Sequence, residues 1–181
     1  MSLGQWISLG IGAVLVFWMV GAYNRLVALR SAIGTVLQQV DELVQRRAGA
    51  ALALCAVVAE PMAAERPALD AWSSAHREAQ QACVALRARP VMAALAATLA
   101  AAESAVAAAG SRVLALLEQA GPVSAEPGVA AHLATLREAE SRLVFARQLF
   151  NHAAQAYNDA ARQFPTRLLV RLYGFGTAGR L

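Results

Sequence analysis

Leu136–Phe164 reads LREAESRLVFARQLFNHAAQAYNDAARQF. Leu136, Leu143, Phe150, Tyr157 and Phe164 recur at intervals of seven, and Ala139, Ala146, Ala153 and Ala160 follow three residues behind. Apolar residues at that period share one face of a helix and mark the two core columns of a heptad. Large side chains alternate with small ones along this seam, so a neighbouring helix can come close. Pro165 has no amide hydrogen to donate and ends the helix.

The same pattern runs back toward the N-terminus. A third helix carries Met92, Leu99, Val106 and Val113 with Leu95, Ala102, Ala109 and Leu116. A second carries Leu69, His76 and Cys83 with Trp72, Ala79 and Leu86, and stops before Pro90. A first carries Leu26, Ile33, Val40, Arg47 and Leu54 with Leu29, Val36, Leu43, Ala50 and Val57. Pro61 and Pro67 frame one turn; Gly121–Gly128, with two Pro and two Gly, is a loop. Strand-type alternation is hard to find. Four helices joined by short turns predict an all-α fold, an antiparallel up-and-down four-helix bundle over residues 24–164.

The N-terminus reads differently. No charged side chain occurs from Met1 to Asn24, and Trp6–Tyr23 (WISLGIGAVLVFWMVGAY) is predominantly apolar. A run of this kind is long enough to cross the hydrocarbon core, which takes about 20 residues. Trp6 near one end, with Trp18 and Tyr23 near the other, matches aromatic anchoring at the two interfaces. A cleaved signal peptide would need a basic stretch ahead of the apolar run, which is absent. Residues 1–23 are therefore expected to be a transmembrane helix. Nothing breaks the helix between this span and Glu60, so one continuous rod is expected, its part beyond the span about 55 Å long.

Arg25, Arg30, Arg46 and Arg47 follow the span and no Arg precedes it, which predicts an outward N-terminus with the bundle in the cytoplasm, beneath a cell inner membrane. Gly4, Ser8 and Gly12 form a small-residue stripe that lets membrane helices pair. The frequency of glycine in membrane helices is the preferred explanation for it. An even helix count brings residue 165 back to the membrane face, beside Arg25. The tail, residues 165–181, combines Leu168, Leu169, Val170, Leu172, Tyr173 and Phe175 with Arg167 and Arg171. It suits two placements equally: lying on anionic lipid in the headgroup layer, or folded over the bundle end.

The chain resembles the LemA family. The likeness begins at Tyr23–Asn24–Arg25–Leu26–Val27–Ala28–Leu29–Arg30 and continues at Gln39–Val40–Asp41 and Arg46–Arg47. It is clearest in Glu140, Arg142, Phe145–Ala146–Arg147–Gln148, Asn151, Tyr157–Asn158, Phe164–Pro165 and Gly174–Phe175. The resemblance implies an N-terminal anchor, a helical bundle and no established catalytic activity. Some members are associated with magnetosome membranes and others are encoded beside membrane proteases. The chain departs from the family at Leu37, where a Trp is usual. It departs again at Ala48–Ala53, which replaces an acidic residue and a Leu-x-Pro step, so the first helix is expected to run straighter.

Composition narrows the function. The chain has 181 residues, 58% of them hydrophobic, and a net charge of +4. Every basic residue is Arg. The aromatic interleaving of single-strand nucleic-acid binders is missing, so the basic excess is assigned to lipid and no nucleic-acid partner is expected. Cys55 and Cys83 form no CxxC pair and read as buried thiols. His76 lies on the second seam and reads as a core histidine; His132 and His152 share no turn. No catalytic motif, metal set or cofactor site is legible, so an enzyme is not expected. Arg47 occupies a core column, where placement at the bundle edge is preferred over a buried pair with a facing acid. Asn24 and Asn158 are expected near the membrane end, bonded across helices or solvated.

Two functions remain. One is a scaffold or adaptor that self-associates and organises or shapes the membrane. The other is a regulatory docking partner for a membrane protease or signalling protein. The residues to watch are those at the membrane end: Asn24, Arg25, Arg30, Asn158, Arg167 and Arg171.

Overall fold

The computed structural model describes residues 3–164, 166, 167, 170 and 176–181, and these contain no strand. Helix α1 runs Leu3–Val58, α2 Arg66–Ala88, α3 Ala93–Gln119 and α4 Pro127–Arg162. With no proline in its 56 residues, α1 is unbroken from the apolar run into the body. Short 3-10 turns, Ala63–Glu65 and Gly121–Ala125, fill two of the connections. Met62 is buried and its amide donates to Val58 O at 2.9 Å, closing the end of α1. Gly121, at φ 50°, takes the left-handed turn that follows α3, a conformation glycine adopts without a Cβ penalty. Prolines sit in the first turns of α2 and α4, where no intrahelical partner is lost.

Helix α1 packs chiefly on α4 and α2 on α3, and an α1–α2 contact joins the two pairs. Partners run in opposite numerical order. Arg25 meets Gln163 and Arg46 meets Glu138; Asp41 meets Arg87 and Cys55 meets the Leu69 carbonyl. One core cluster gathers Leu26, Ile33, Leu37, Leu86, Phe150 and Tyr157; another gathers Leu54, Leu69, Trp72, Val113 and Leu136.

The first heptad column of each helix is buried within the body, apart from Met92, which is exposed just ahead of α3, and the companion column shifts in α1 and α3. In α1 the fully buried set is Leu37, Val44, Ala51 and Val58, four residues behind the first column; Leu43 is half-buried and Val57 is exposed. In α3 the companion set is Ala96, Glu103, Gly110 and Leu117. Both sets still repeat every seven residues, so each helix keeps a heptad seam whose companion column lies three residues ahead of the first column instead of three behind it. In α2 both expected columns are buried. In α4 Ala139, Ala146 and Ala160 are buried as expected, Ala154 takes the place of the half-buried Ala153, and Phe164 is exposed.

Among the described residues, no helix packs over the first part of α1. Ile7, Leu9, Ile11, Val14, Phe17 and Val20 are all exposed. This stretch is long and apolar enough to cross a membrane. Helix α3 passes the same test of length and composition, but its Val106 packs with Ala75 and Ala79, and its Val113 with Trp72.

Candidate functional site

The end of α4 returns to the end of the apolar run. Trp18 and Phe164 meet edge to face with ring centroids 5.1 Å apart, and Arg25 Nη1 donates to Gln163 Oε1 at 3.2 Å. Trp6, Trp18 and Tyr23 are exposed. Arg30, Arg167 and Asn24 are exposed too. A Cβ built on Gly12 would meet no atom within 4 Å; Gly4 lies in the first turn of α1. The side chain of Ser8 and the whole of Arg171 lie outside the described residues.

Charge is sorted along the bundle. Acidic residues are absent from 1–40, 79–102 and 160–181. All three stretches contribute to the end next to the apolar run. Arg25, Arg30, Arg89, Arg162, Arg167 and Arg180 are exposed there, with Asp159 the one acidic side chain at that end among the described residues. At the far end Glu60, Glu65, Asp70, Glu118 and Glu126 outnumber Arg66 and Arg112. Such a distribution places a positive field on one face only.

Asn158 has a role that sequence reading missed. Its side chain donates to the Ala178 carbonyl at 2.9 Å and accepts from the Ala178 amide at 3.0 Å. The expected bond with Asn24 is not made, because the backbone of 176–181 supplies both a donor and an acceptor along α4. Asn151 holds Leu181 in the same way, and Tyr157 Oη donates to Gly176 O at 3.2 Å. The described end of the tail therefore folds onto the bundle; residues 168, 169 and 171–175 lie outside the described set. Gly176 and Gly179 were the available signal, since an extended segment pressed against helices must shed its side chains.

Arg47 is buried, not at the edge. It is 4% exposed, and its Nη2 sits 2.6 Å from Glu103 Oε1. Arg147 binds the other Glu103 oxygen from α4. One carboxylate on α3 thus joins guanidinium groups on α1 and α4. Edge placement fails because Glu103, on the shifted α3 column, offers a buried partner. His76 lies close by, and burial together with the Arg47 charge pulls its pKa down to about 4. Burial also pushes the Cys83 thiol up to about 12 and raises Cys55. A cavity of about 260 Å³ opens beside this cluster, lined by Val40, Val44, Leu99, Glu103, Arg147 and Leu181. No cluster of metal-ligating side chains occurs among the described residues.

A family model described as the LemA family matches residues 36–180. No curated protein and no solved structure matches the chain.

Proposed function

The chain belongs to the LemA family, and from that premise we propose that it is a non-catalytic, single-pass membrane scaffold or adaptor. In this reading residues 1–23 span a cell inner membrane with the N-terminus outside. The body is an antiparallel up-and-down four-helix bundle in the cytoplasm, resting its basic end on anionic lipid. Copies associate with one another and organise or shape the membrane. No nucleic acid and no cofactor take part.

The observation that supports this most is the charge sorting. Three stretches far apart in sequence lack acidic residues, and all three meet at the end that adjoins the apolar run. A soluble bundle has no reason to gather them there. Beside an anionic leaflet each arginine near the surface gains about 1 kcal/mol. The contacts of Trp18 with Phe164 and Arg25 with Gln163 support the same placement.

Hydrogen exchange on the full chain in nanodiscs tests this. Residues 25–31 and 162–167 are expected to be more protected in discs containing anionic lipid than in neutral discs. Arg30→Glu with Arg162→Glu should remove the difference. Equal protection in both lipids, with a strictly monomeric chain in native membranes, would overturn the reading. Val144 and Phe145, exposed side by side on α4, favour the second function, a docking surface for a membrane protease or signalling protein. A photo-crosslinker at position 145 that captured one defined membrane protein would favour that function over the first.

A further inference from the structure

Helix α3 packs on α2 and α4 packs on α1, so side chains span the bundle between α3 and α4. Glu103 on α3 binds Arg147 on α4 there. The cavity of about 260 Å³ lies against this link. Val40, Val44, Leu99 and Leu143 give it buried apolar walls, and half-buried Leu181 adds to them. A neighbouring cavity of about 170 Å³ shares Glu103, Leu143 and Arg147 with the first and adds Arg47 and Glu140. Both cavities thus border one ion cluster.

That cluster is rich in donors. A guanidinium carries several N–H groups in a planar fork. Glu103 Oε1 accepts from Arg47 and Oε2 from Arg147, so both its oxygens are engaged. Among the described residues Arg47 Nε has no hydrogen-bond partner, although the side chain is buried. A buried donor left unmet costs free energy that an arriving acceptor recovers. Charge points the same way. Two guanidinium groups face one buried carboxylate, an excess of one positive charge. His76, close by, has its pKa pulled down to about 4 and is neutral at pH 7. Glu140 is exposed on the rim, where salt and water screen it. The Ser104 hydroxyl, also on the rim, donates to the Ala100 carbonyl of its own helix at 3.0 Å.

We propose that the cavity is a binding site for a short straight-chain monocarboxylate, with its carboxylate on the Arg47–Glu103–Arg147 cluster and its alkyl chain against Val40, Val44, Leu99 and Leu143. Arginine and carboxylate pair through parallel hydrogen bonds, and the N–H groups that Glu103 leaves over are the ones to make them. The walls select an alkyl chain, because a polar group buried against them would go without a partner. Size sets the length. At about 30 Å³ for each water-sized group, 260 Å³ holds about eight or nine heavy atoms, which is a carboxylate on about five or six carbons. The ligand joins the groups that tie α1, α3 and α4 together, so occupancy stabilises the native bundle. The site lies within the bundle and does not rest on the anchored reading.

Hexanoate titrated into the full-length protein in neutral-lipid nanodiscs, followed by saturation-transfer NMR with protein-free discs as the blank, tests this. Saturable, equimolar binding is expected. Butanoate, two methylenes shorter, should bind about tenfold more weakly. Hexan-1-ol keeps the chain without the charge and should bind at least about tenfold more weakly. Arg147→Gln should weaken hexanoate by at least about tenfold, and Arg147→Lys should recover part of that loss. Arg147 is about one-third exposed and Glu103 keeps Arg47, so both variants should retain native helical circular dichroism. Ser104→Trp plugs the cavity from its exposed rim and should abolish binding without touching the cluster. No saturable binding, equal binding of hexanoate and hexan-1-ol, or binding unchanged in both Arg147→Gln and Ser104→Trp would overturn the proposal.

Discussion

Replacing Glu103 with Ala takes away the carboxylate shared by Arg47 and Arg147. Arg47 is 4% exposed and cannot turn its guanidinium to water. Breaking a buried pair from one side costs about 3–5 kcal/mol, because an uncompensated charge stays behind. For a bundle of this size each kcal/mol shifts Tm by about 2–4 °C, so Glu103→Ala should melt roughly 6–20 °C lower. Arg47→Met is predicted to cost less, about 1–2 kcal/mol, since Glu103 keeps Arg147. The pair of changes Arg47→Met and Glu103→Leu should lie within about 1 kcal/mol of the native chain, since apolar residues of similar volume replace a buried pair at little cost. Arg147, about one-third exposed, is then free to hydrate. Thermal melts of the native chain, Glu103→Ala, Glu103→Leu, Arg47→Met and the Arg47→Met with Glu103→Leu pair, all full length in one detergent and followed by helical circular dichroism, give the cycle through Glu103→Leu. A Glu103→Leu loss below about 1 kcal/mol that adds simply to the Arg47→Met loss would refute a desolvated cluster.

Three further outcomes follow from the same core. His76 titrates near 6.5 when unfolded and at about 4 when folded, so protons favour the unfolded chain between those values and stability falls as pH drops through that window. His76→Leu should flatten this fall by roughly 3 kcal/mol between pH 7 and pH 4, read by denaturant titration at each pH. Phe150→Ala opens the α1–α4 core, where Phe150 is fully buried; a loss of about 3–5 kcal/mol is expected in the same titration. Cys55 and Cys83 are buried with raised pKa values, so neither should react with a water-soluble maleimide in the native protein at pH 8, and both should react in denaturant.

Much of this fold was legible because its signals are local. Proline and glycine mark the turns, and a period of seven marks the seams of all four helices. Leu69, Trp72, His76, Ala79, Cys83 and Leu86 of α2 are all buried as that period requires. The companion columns of α1 and α3 were misplaced by one residue, since the sequence offers apolar or small side chains at both positions, as in Val36–Leu37, Leu43–Val44, Ala50–Ala51 and Val57–Val58. That single step hid Glu103, which the template leaves outside the core, and with it the partner of Arg47. The seat of Asn151 and Asn158 was hidden for another reason. It joins α4 to a segment twenty to thirty residues later in the chain through main-chain groups, which carry no sequence signature. The small residues at 176, 178 and 179 were its only trace.

The proposed anchoring is decided most directly by where the two ends of the bundle lie relative to a membrane. Val14→Cys and Arg112→Cys, made separately in the full chain, should be treated with an impermeant maleimide in intact cells and after permeabilisation. Position 14 is expected to stay unlabelled in both, and position 112 to be labelled only after permeabilisation. Ready labelling at position 14 after permeabilisation, or labelling at position 112 in intact cells, would contradict it.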